Sequence, residues 1–318
     1  MISLCTVSIQ SLKPYLDLMI TSAIRKISRL KEIVVTEIDA VQNYENIYTQ
    51  NGITIKKLGY DVLKNHVSLA DYYIFKNIST EKAPEKAPIV ENSNAIIESS
   101  NAITAMFGHA LGLHHCINNS TQEYILFCDP DVIFLNKVDD IYLKFMDKYD
   151  LQYIGCAHES ANKVACFNFP YLANSLIKRC NLPSDDFLLG ELYFHGMLRY
   201  PVKWEPLNDS LVANGKWLIR GILQQHYDKF PNPDLQTTEG RGKVDFDTGS
   251  NLYLWNLKNN WNWLSFLTPD CHHYKTSFYR SNLPIKDKFK PATLIYHQFG
   301  RYRNFEEFMK IHSNSLEE

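Results

Sequence analysis

Short apolar runs alternate with amphipathic stretches along the first half of the chain. Runs rich in β-branched residues predict buried strands at Ile2–Ile9, Glu32–Asp39 and Gly52–Gly59. Between the first two runs, Pro14 opens a stretch whose apolar residues recur at helical spacing, which predicts a helix.

The same alternation continues further along the chain. Helices are predicted at Met106–Ile117 and Val138–Tyr149, and strands at Glu123–Leu135 and Leu151–Glu159. Strands that alternate with helices favour an α/β fold in which a mostly parallel sheet is flanked by helices.

After about residue 160 the periodicity is looser. Short helices are predicted at Tyr171–Arg179 and Val212–Tyr227, a further helix near Asp247, a core strand at Ala292–Gly300 and a terminal helix capped by Asn304. No linker divides the chain, so a single domain is expected.

Residues 80–103 interrupt this pattern with near-repeats of Glu-Lys-Ala-Pro and Ser-Asn-Ala-Ile. Their Pro, Lys and Glu content predicts a mobile surface loop. The loop is either a neutral insertion or a lid beside an active site.

Composition excludes several classes of protein. A net charge of -2 gives no drive towards nucleic acid or anionic membranes. Seven cysteines without a Cys-x-x-Cys pair indicate free thiols in a reducing, cytoplasmic compartment. The sequence shows neither a leader peptide nor 18 consecutive apolar residues, so we expect no transmembrane segment, while peripheral membrane contact is left open.

Asp129-Pro130-Asp131 is the most informative tripeptide, because it follows a run that predicts a buried strand. Two carboxylates at the exit of such a strand are costly unless a positive group meets them. A divalent cation with a phosphorylated ligand would meet this need, since oxygen ligands suit magnesium and manganese. The alternative is a solvated turn.

These features resemble the GT-A fold of nucleotide-sugar glycosyltransferases. The resemblance rests on a βαβ start, a His-Ala-x-Gly-Leu helix followed by Asp-Pro-Asp within Phe107–Leu135, and a late His-x-x-Gly segment within Ile295–Arg301. It implies a Mn²⁺- or Mg²⁺-dependent enzyme whose residues 1–160 bind a UDP- or GDP-sugar. Residues 161–318 would then bind a hydroxyl acceptor, such as a glycan.

The resemblance also implies roles for single residues. Asp131 would bind the metal directly, Asp129 would hold the metal, a metal-bound water or the ribose, and His297 would be a third metal ligand. His109 would contact the diphosphate, and Arg301, with Arg303 nearby, would hold phosphate oxygens. For His297 and His109 the alternatives are a core histidine and a helix-surface histidine.

The topology of the predicted sheet adds three candidates for binding the nucleotide. Thr6 and Ser8 end the first strand, and Asp39 ends the second, where ligands of α/β sheets commonly bind. We expect them to contact the base or the ribose.

A catalytic base is harder to identify. Inverting transfer requires a carboxylate that deprotonates the acceptor hydroxyl. Asp247 precedes a predicted helix and is the first candidate, although aspartate is also a common N-cap without a catalytic role. Asp186 and Glu191 are alternatives. The Glu-Asp pair usual in inverting members is absent, so inversion or retention of configuration stays open.

Two other functions remain as alternatives to a glycosyltransferase. A sugar nucleotidyltransferase usually has a Gly-rich loop after its first strand, and Ser8–Tyr15 contains no glycine. A non-catalytic module that binds nucleotide or glycan on the same fold would lack turnover.

Overall fold

The structure is a computed structural model that describes residues 1–60, 109, 112–158, 174–182, 199–202, 242–245, 259–268, 272–287, 290–298 and 305–317. The predicted loop at 80–103 and the predicted helix at 212–227 lie outside these residues, as does the start of the helix predicted near Asp247.

The described strands are numbered in chain order. They are β1 (Ile2–Ser8), β2 (Leu30–Glu37), β3 (Tyr44–Gln50), β4 (Ile53–Gly59), β5 (Tyr124–Cys128), β6 (Val132–Phe134), β7 (Tyr153–His158), β8 (Asn174–Lys178), β9 (Arg199–Val202), β10 (Gly242–Asp245), β11 (Trp263–Thr268), β12 (His273–Lys275), β13 (Phe278–Ser281) and β14 (Thr293–His297).

A nine-stranded sheet, in the order β13-β11-β7-β8-β5-β1-β2-β4-β3, is the centre of the fold. The pairings orient β1, β2, β4, β5, β7 and β11 in one direction and β3, β8 and β13 in the other. The sheet is therefore mostly parallel, as predicted. It includes strands from both sides of residue 160, while β12-β14-β6 and β10-β9 form two smaller sheets.

Helices cover both faces of the large sheet. On one face, α1 (Lys13–Lys26) and α3 (Val138–Tyr149) share a hydrophobic core with β1 and β2. On the other face, the helical residues 112–119 (α2) place the Cys116 thiol against the carbonyls of Thr6 and Val34, at 3.2 and 3.5 Å. The C-terminal helix α4 (Phe305–Glu317) packs against α1.

Most of the predicted elements in the described residues are confirmed, and two predictions are wrong. The segment Tyr171–Arg179 was predicted to be helical, but its described part forms β8, which pairs with β5 and β7. Contacts with two neighbouring strands override the helical pattern. The apolar run Glu123–Leu135 is not one strand, because it is divided at Asp129–Asp131 into β5 and β6, which belong to different sheets.

Strand β3 was not predicted at all. It forms an antiparallel hairpin with β4 through Asn51 and Gly52, whose φ angles are 50° and 75°. Asn-Gly is the preferred pair for a two-residue hairpin turn with positive φ at both positions, so the sequence did contain the signal.

The described residues bear on two expectations from the sequence, which are free thiols and the absence of a transmembrane segment. Five cysteines are described and all are free; Cys180 is exposed, and the buried ones are Cys5, Cys116, Cys128 and Cys156. Within the described ranges, no helix combines the length and the apolar character needed to cross a membrane.

The buried carboxylate of Glu32 connects β1, β2 and β4 at the end of the sheet opposite to the Asp129 turn. Glu32 is 3% exposed and lies 2.7 Å from the Lys56 ammonium. It also accepts hydrogen bonds from the Ser3 hydroxyl (2.6 Å) and the Thr121 backbone N–H (2.8 Å). Burial raises the pKa of Glu32, but these hydrogen bonds and the Lys56 charge together lower it below its usual value.

Glycine at position 155 is required by the packing of β7. A Cβ at Gly155 would lie 2.5 Å from the Tyr153 hydroxyl and 2.9 Å from the Ser175 Cβ. Tyr153 is fully buried, so its ring cannot turn outwards to make room.

We expect Glu32→Gln to reduce the acid sensitivity of the fold. The folded-state pKa of Glu32 is below its unfolded value, so its stabilisation is present above the unfolded-state pKa and is lost as the pH falls through the folded-state pKa. The free energy of unfolding of the variant should depend less on pH as the pH falls below the ordinary glutamate pKa of 4.5. Glu123→Gln is the control, and equal pH profiles for Glu32→Gln and the wild type would contradict the assignment.

Gly155→Ala should destabilise the fold by about 1–3 kcal/mol, as overpacking does in closely packed cores. Denaturant unfolding measures the loss. The same substitution should cost less in a Tyr153→Phe background, because that change removes the nearest clashing atom. Equal stability of Gly155→Ala and the wild type would show that the packing at β7 is not this tight.

Candidate metal and nucleotide site

The pairing of two short strands builds the candidate site. Asp129–Asp131 connect the carboxyl end of β5 to β6, and β6 pairs antiparallel with β14 so that Val132 is opposite His297. The Gln298 backbone N–H donates to the Asp131 carbonyl at 2.9 Å. This register places a histidine from the end of β14 directly beside the Asp-Pro-Asp turn.

Three side chains converge at this point. His297 Nε2 lies 3.2 Å from Asp131 Oδ1 and 3.4 Å from Asp129 Oδ2. The candidate ligand atoms of the three residues lie within 4.8 Å of one another. The His297 side chain is only 4% exposed and that of Asp131 12%, whereas that of Asp129 is 22% exposed. The group is therefore reached by solvent mainly from the side of Asp129.

The electrostatics of this group favour a positive centre. Burial lowers the pKa of the His297 imidazole, but the hydrogen bond to Asp131 and the negative charges of Asp131 and Asp129 raise it, and the net pKa is above its usual value. The two carboxylates, which are partly withdrawn from water, thus favour the protonated form of His297, which would serve as their counter-charge. A divalent cation could supply the same charge.

The chemistry of the donor set fits a divalent metal. Two carboxylates and one imidazole combine the hard oxygen ligands preferred by Mg²⁺ and Mn²⁺ with a nitrogen ligand that Mn²⁺ also accepts. The predicted metal residues Asp129, Asp131 and His297 are all brought together by the fold.

The predicted nucleotide-binding residue His109 also reaches this group. Its Nε2 lies 3.6 Å from Asp129 Oδ1, and its side chain is 31% exposed. Asp129 consequently lies between two imidazoles, one deep in the site and one nearer to solvent. His109 is thus placed at the open side of the carboxylate pair.

The remaining described candidates lie at the ends of β1 and β2. Thr6 and Ser8 are buried, and the Ser8 hydroxyl donates to the Ile9 carbonyl at 3.3 Å. Asp39 is exposed and accepts a hydrogen bond from the Gln10 backbone N–H at 2.8 Å, which holds together the loops that follow the two strands. Of the three, only Asp39 is open to solvent.

Several other candidates lie outside the described residues. They are Asp186, Glu191, Asp247, Arg301 and Arg303.

One residue near the site was missed by the sequence analysis. The Tyr274 hydroxyl on β12 lies 3.0 Å from His297 Nδ1, and Tyr274 is fully buried. No local pattern indicates this role, because a tyrosine between His273 and Lys275 in a short strand has nothing that marks it as the partner of a distant histidine. The only signal is the pairing of β12 with β14, which the sequence alone does not reveal.

The chain matches no protein-family model and no curated protein sequence. Among solved structures, it is similar to S. aureus TarS 1-349 in complex with UDP-GlcNAc, with 10% identity over 60% of this chain and 53% of that chain and a TM-score of 0.32. It is also similar to the galactosyltransferase LgtC in complex with donor and acceptor sugar analogues, with 15% identity over 56% of this chain and 58% of that chain and a TM-score of 0.30.

A third similar structure is the mannosyltransferase PcManGT from Pyrobaculum calidifontis in complex with GDP-Man and Mn²⁺. Identity is 11% over 76% of this chain and 68% of that chain, with a TM-score of 0.30. The chain spans only about half the length of the TarS structures. We therefore base a proposed function on the residues of the site.

Asp131→Ala should abolish Mn²⁺-dependent binding of UDP or GDP while the fold remains intact. The variant loses a buried carboxylate that faces the imidazole, so a cation bound there would lose its least exposed acidic ligand. Calorimetric titration with and without Mn²⁺ measures binding, and circular dichroism checks the fold. Asp17→Asn, which changes an exposed acid on α1, is the control. Unaltered Mn²⁺-dependent affinity in folded Asp131→Ala would refute the metal site.

Proposed function

We propose that the chain is a metal-dependent glycosyltransferase that moves a sugar from a nucleoside diphosphate sugar to a hydroxyl acceptor, such as a glycan. The observation that carries this proposal is the convergence of Asp129, Asp131 and His297 at the carboxyl end of β5. In open α/β sheets this edge is where ligands bind. A diphosphate bound there would need a cation to neutralise its charge, and this donor set is suited to hold a divalent cation.

The residues of the site have separate proposed tasks. Asp131 and His297, the most buried of the three, would hold Mn²⁺ or Mg²⁺, and Asp129 would share the cation or hold its water and the ribose. A cation bound there would stabilise the negative charge of the departing diphosphate. His109, beside Asp129 on the open side, would contact the diphosphate.

The nucleotide is proposed to extend from this site along the carboxyl edge of the sheet. Asp39, which is exposed, would contact the base or ribose with its carboxylate. Thr6 and Ser8 are buried, so they would shape this end of β1 and present its backbone. Arg301 would hold phosphate oxygens. Residues 1–160 would bind the donor, and residues from 161 onwards, apart from His297 and Arg301, the acceptor.

A reducing, cytoplasmic setting is part of the proposal. Four of the five described cysteines are buried and free, which suits a compartment where thiols stay reduced.

The proposed reaction can be tested with a panel of UDP- and GDP-sugars. In the presence of Mn²⁺, slow hydrolysis of one donor is expected, because water can replace a missing acceptor. EDTA should remove this activity and added Mn²⁺ should restore it. Pyrophosphate-dependent exchange would instead identify a sugar nucleotidyltransferase. Nucleotide binding without turnover of any donor would identify a non-catalytic module.

Asp247→Asn should lower kcat by about 10²–10⁴-fold, the usual contribution of a general base, with little change in donor affinity. The carboxamide keeps the size of the side chain and can still cap a helix, but it cannot accept the acceptor proton. Steady-state kinetics with the donor found above measures kcat and KM. Glu191→Gln and Asp186→Asn are parallel variants. Full turnover by Asp247→Asn would place the base elsewhere or indicate retention of configuration.

A further inference from the structure

We infer that Tyr274 is a positioning residue that sets which ring nitrogen of His297 is presented to the metal. This inference rests on the proposed function, because it concerns the same metal site. Tyr274 touches neither of the two carboxylates in the described contacts, and it acts through the imidazole.

The two ring nitrogens of His297 face different partners. Nε2 points at the carboxylates, at 3.2 Å from Asp131 and 3.4 Å from Asp129. Nδ1 lies 3.0 Å from the Tyr274 hydroxyl, on the opposite side of the ring. The geometry therefore makes Nε2 the metal-binding nitrogen and Nδ1 the nitrogen that is fixed by the protein.

Metal binding imposes a tautomer on the imidazole. Nε2 must be unprotonated to bind a cation, so a neutral His297 must carry its proton on Nδ1. The Tyr274 hydroxyl is placed to accept a hydrogen bond from that Nδ1–H. A second partner of this kind fixes the ring orientation of metal-binding histidines and strengthens the ligand.

A hydroxyl in this position can both donate and accept a hydrogen bond, whereas a carbonyl or a carboxylate could only accept one. The hydroxyl can accept from Nδ1–H when Nε2 binds the cation and when His297 is an imidazolium that faces the carboxylates. It can donate to an unprotonated Nδ1 when a neutral ring carries its proton on Nε2. Tyr274 can thus pair with the buried imidazole in either tautomer. No buried ring nitrogen is left without a partner when the cation enters or leaves.

The backbone around His297 is held without the Tyr274 hydroxyl. The His297 N–H donates to the His272 carbonyl at 2.8 Å. In the pairing of β12 with β14, His273 lies opposite Tyr296 and Tyr274 lies opposite Ile295. The Tyr274 ring belongs to the main hydrophobic core, and phenylalanine would retain that packing. Loss of the hydroxyl alone should therefore alter the imidazole tautomer and orientation without moving the strand.

The test compares the full-length wild type with Tyr274→Phe and with Tyr279→Phe. The control residue Tyr279 lies on β13, and its hydroxyl donates to the Ile285 carbonyl at 2.7 Å. Free Mn²⁺ is measured by electron paramagnetic resonance during titration in the presence of UDP, and separately of GDP. Thermal unfolding of the metal-free proteins checks the fold.

We expect Tyr274→Phe to weaken Mn²⁺ binding by about 10–100-fold, the usual effect of removing the partner of a metal-binding histidine. The control should bind as the wild type does. A second readout is the ¹⁵N spectrum of histidine-labelled protein with Mg²⁺ and UDP, with His297→Gln used for assignment. The wild type should show His297 protonated at Nδ1 with Nε2 coordinated, and Tyr274→Phe, which binds the cation more weakly, should show a mixture of coordinated and uncoordinated His297 rings.

The outcomes separate the two proposals. If the wild type binds no Mn²⁺ with either nucleotide, the metal site is overturned and the role of Tyr274 falls with it. If the wild type binds Mn²⁺ and Tyr274→Phe binds it within about twofold with the same tautomer, only the role of Tyr274 is overturned. Equal weakening in Tyr274→Phe and Tyr279→Phe would also overturn it, since loss of a tyrosine hydroxyl away from the site would then suffice.

Discussion

The antiparallel pairing of β6 with β14 is the constraint on which the site depends. It places His297 opposite Val132, and the Gln298 N–H bonds to the Asp131 carbonyl at 2.9 Å. Without this register, the two partly buried carboxylates would lose the buried imidazole that lies within 3.4 Å of both of them. The pairing therefore places an imidazole beside both carboxylates, and the three side chains together form a donor set suited to a divalent cation.

A stabilising ion pair and the candidate metal site lie at opposite ends of the large sheet. At one end, Glu32 forms an ion pair with Lys56. The Glu32 carboxylate also accepts hydrogen bonds from β1 and from the loop before β5. At the other end, the Asp129 side chain is 22% exposed and lies between two imidazoles. The first arrangement holds strands together, while the second keeps a carboxylate accessible to a ligand.

The α/β class, the helices at Lys13–Lys26 and Val138–Tyr149 and the position of the Asp-Pro-Asp turn after a buried strand could be predicted. Each is encoded locally, by periodicity or by a carboxylate pair beside an apolar run. His297 could be proposed only by resemblance, and its position depends on a pairing between distant segments. Strand β8 was mistaken for a helix because its neighbours in the sheet, β5 and β7, decide its conformation. The contribution of Tyr274 needs the β12–β14 register as well.

The central claim is that Asp129, Asp131 and His297 form one metal site that holds a nucleoside diphosphate. Anomalous diffraction from crystals grown with Mn²⁺ and UDP, or with Mn²⁺ and GDP, tests it most directly. We predict a single strong manganese peak within direct coordination distance of Asp131 and His297, next to the diphosphate. A nucleotide bound with no manganese between these side chains, or manganese bound elsewhere on the chain, would contradict the claim.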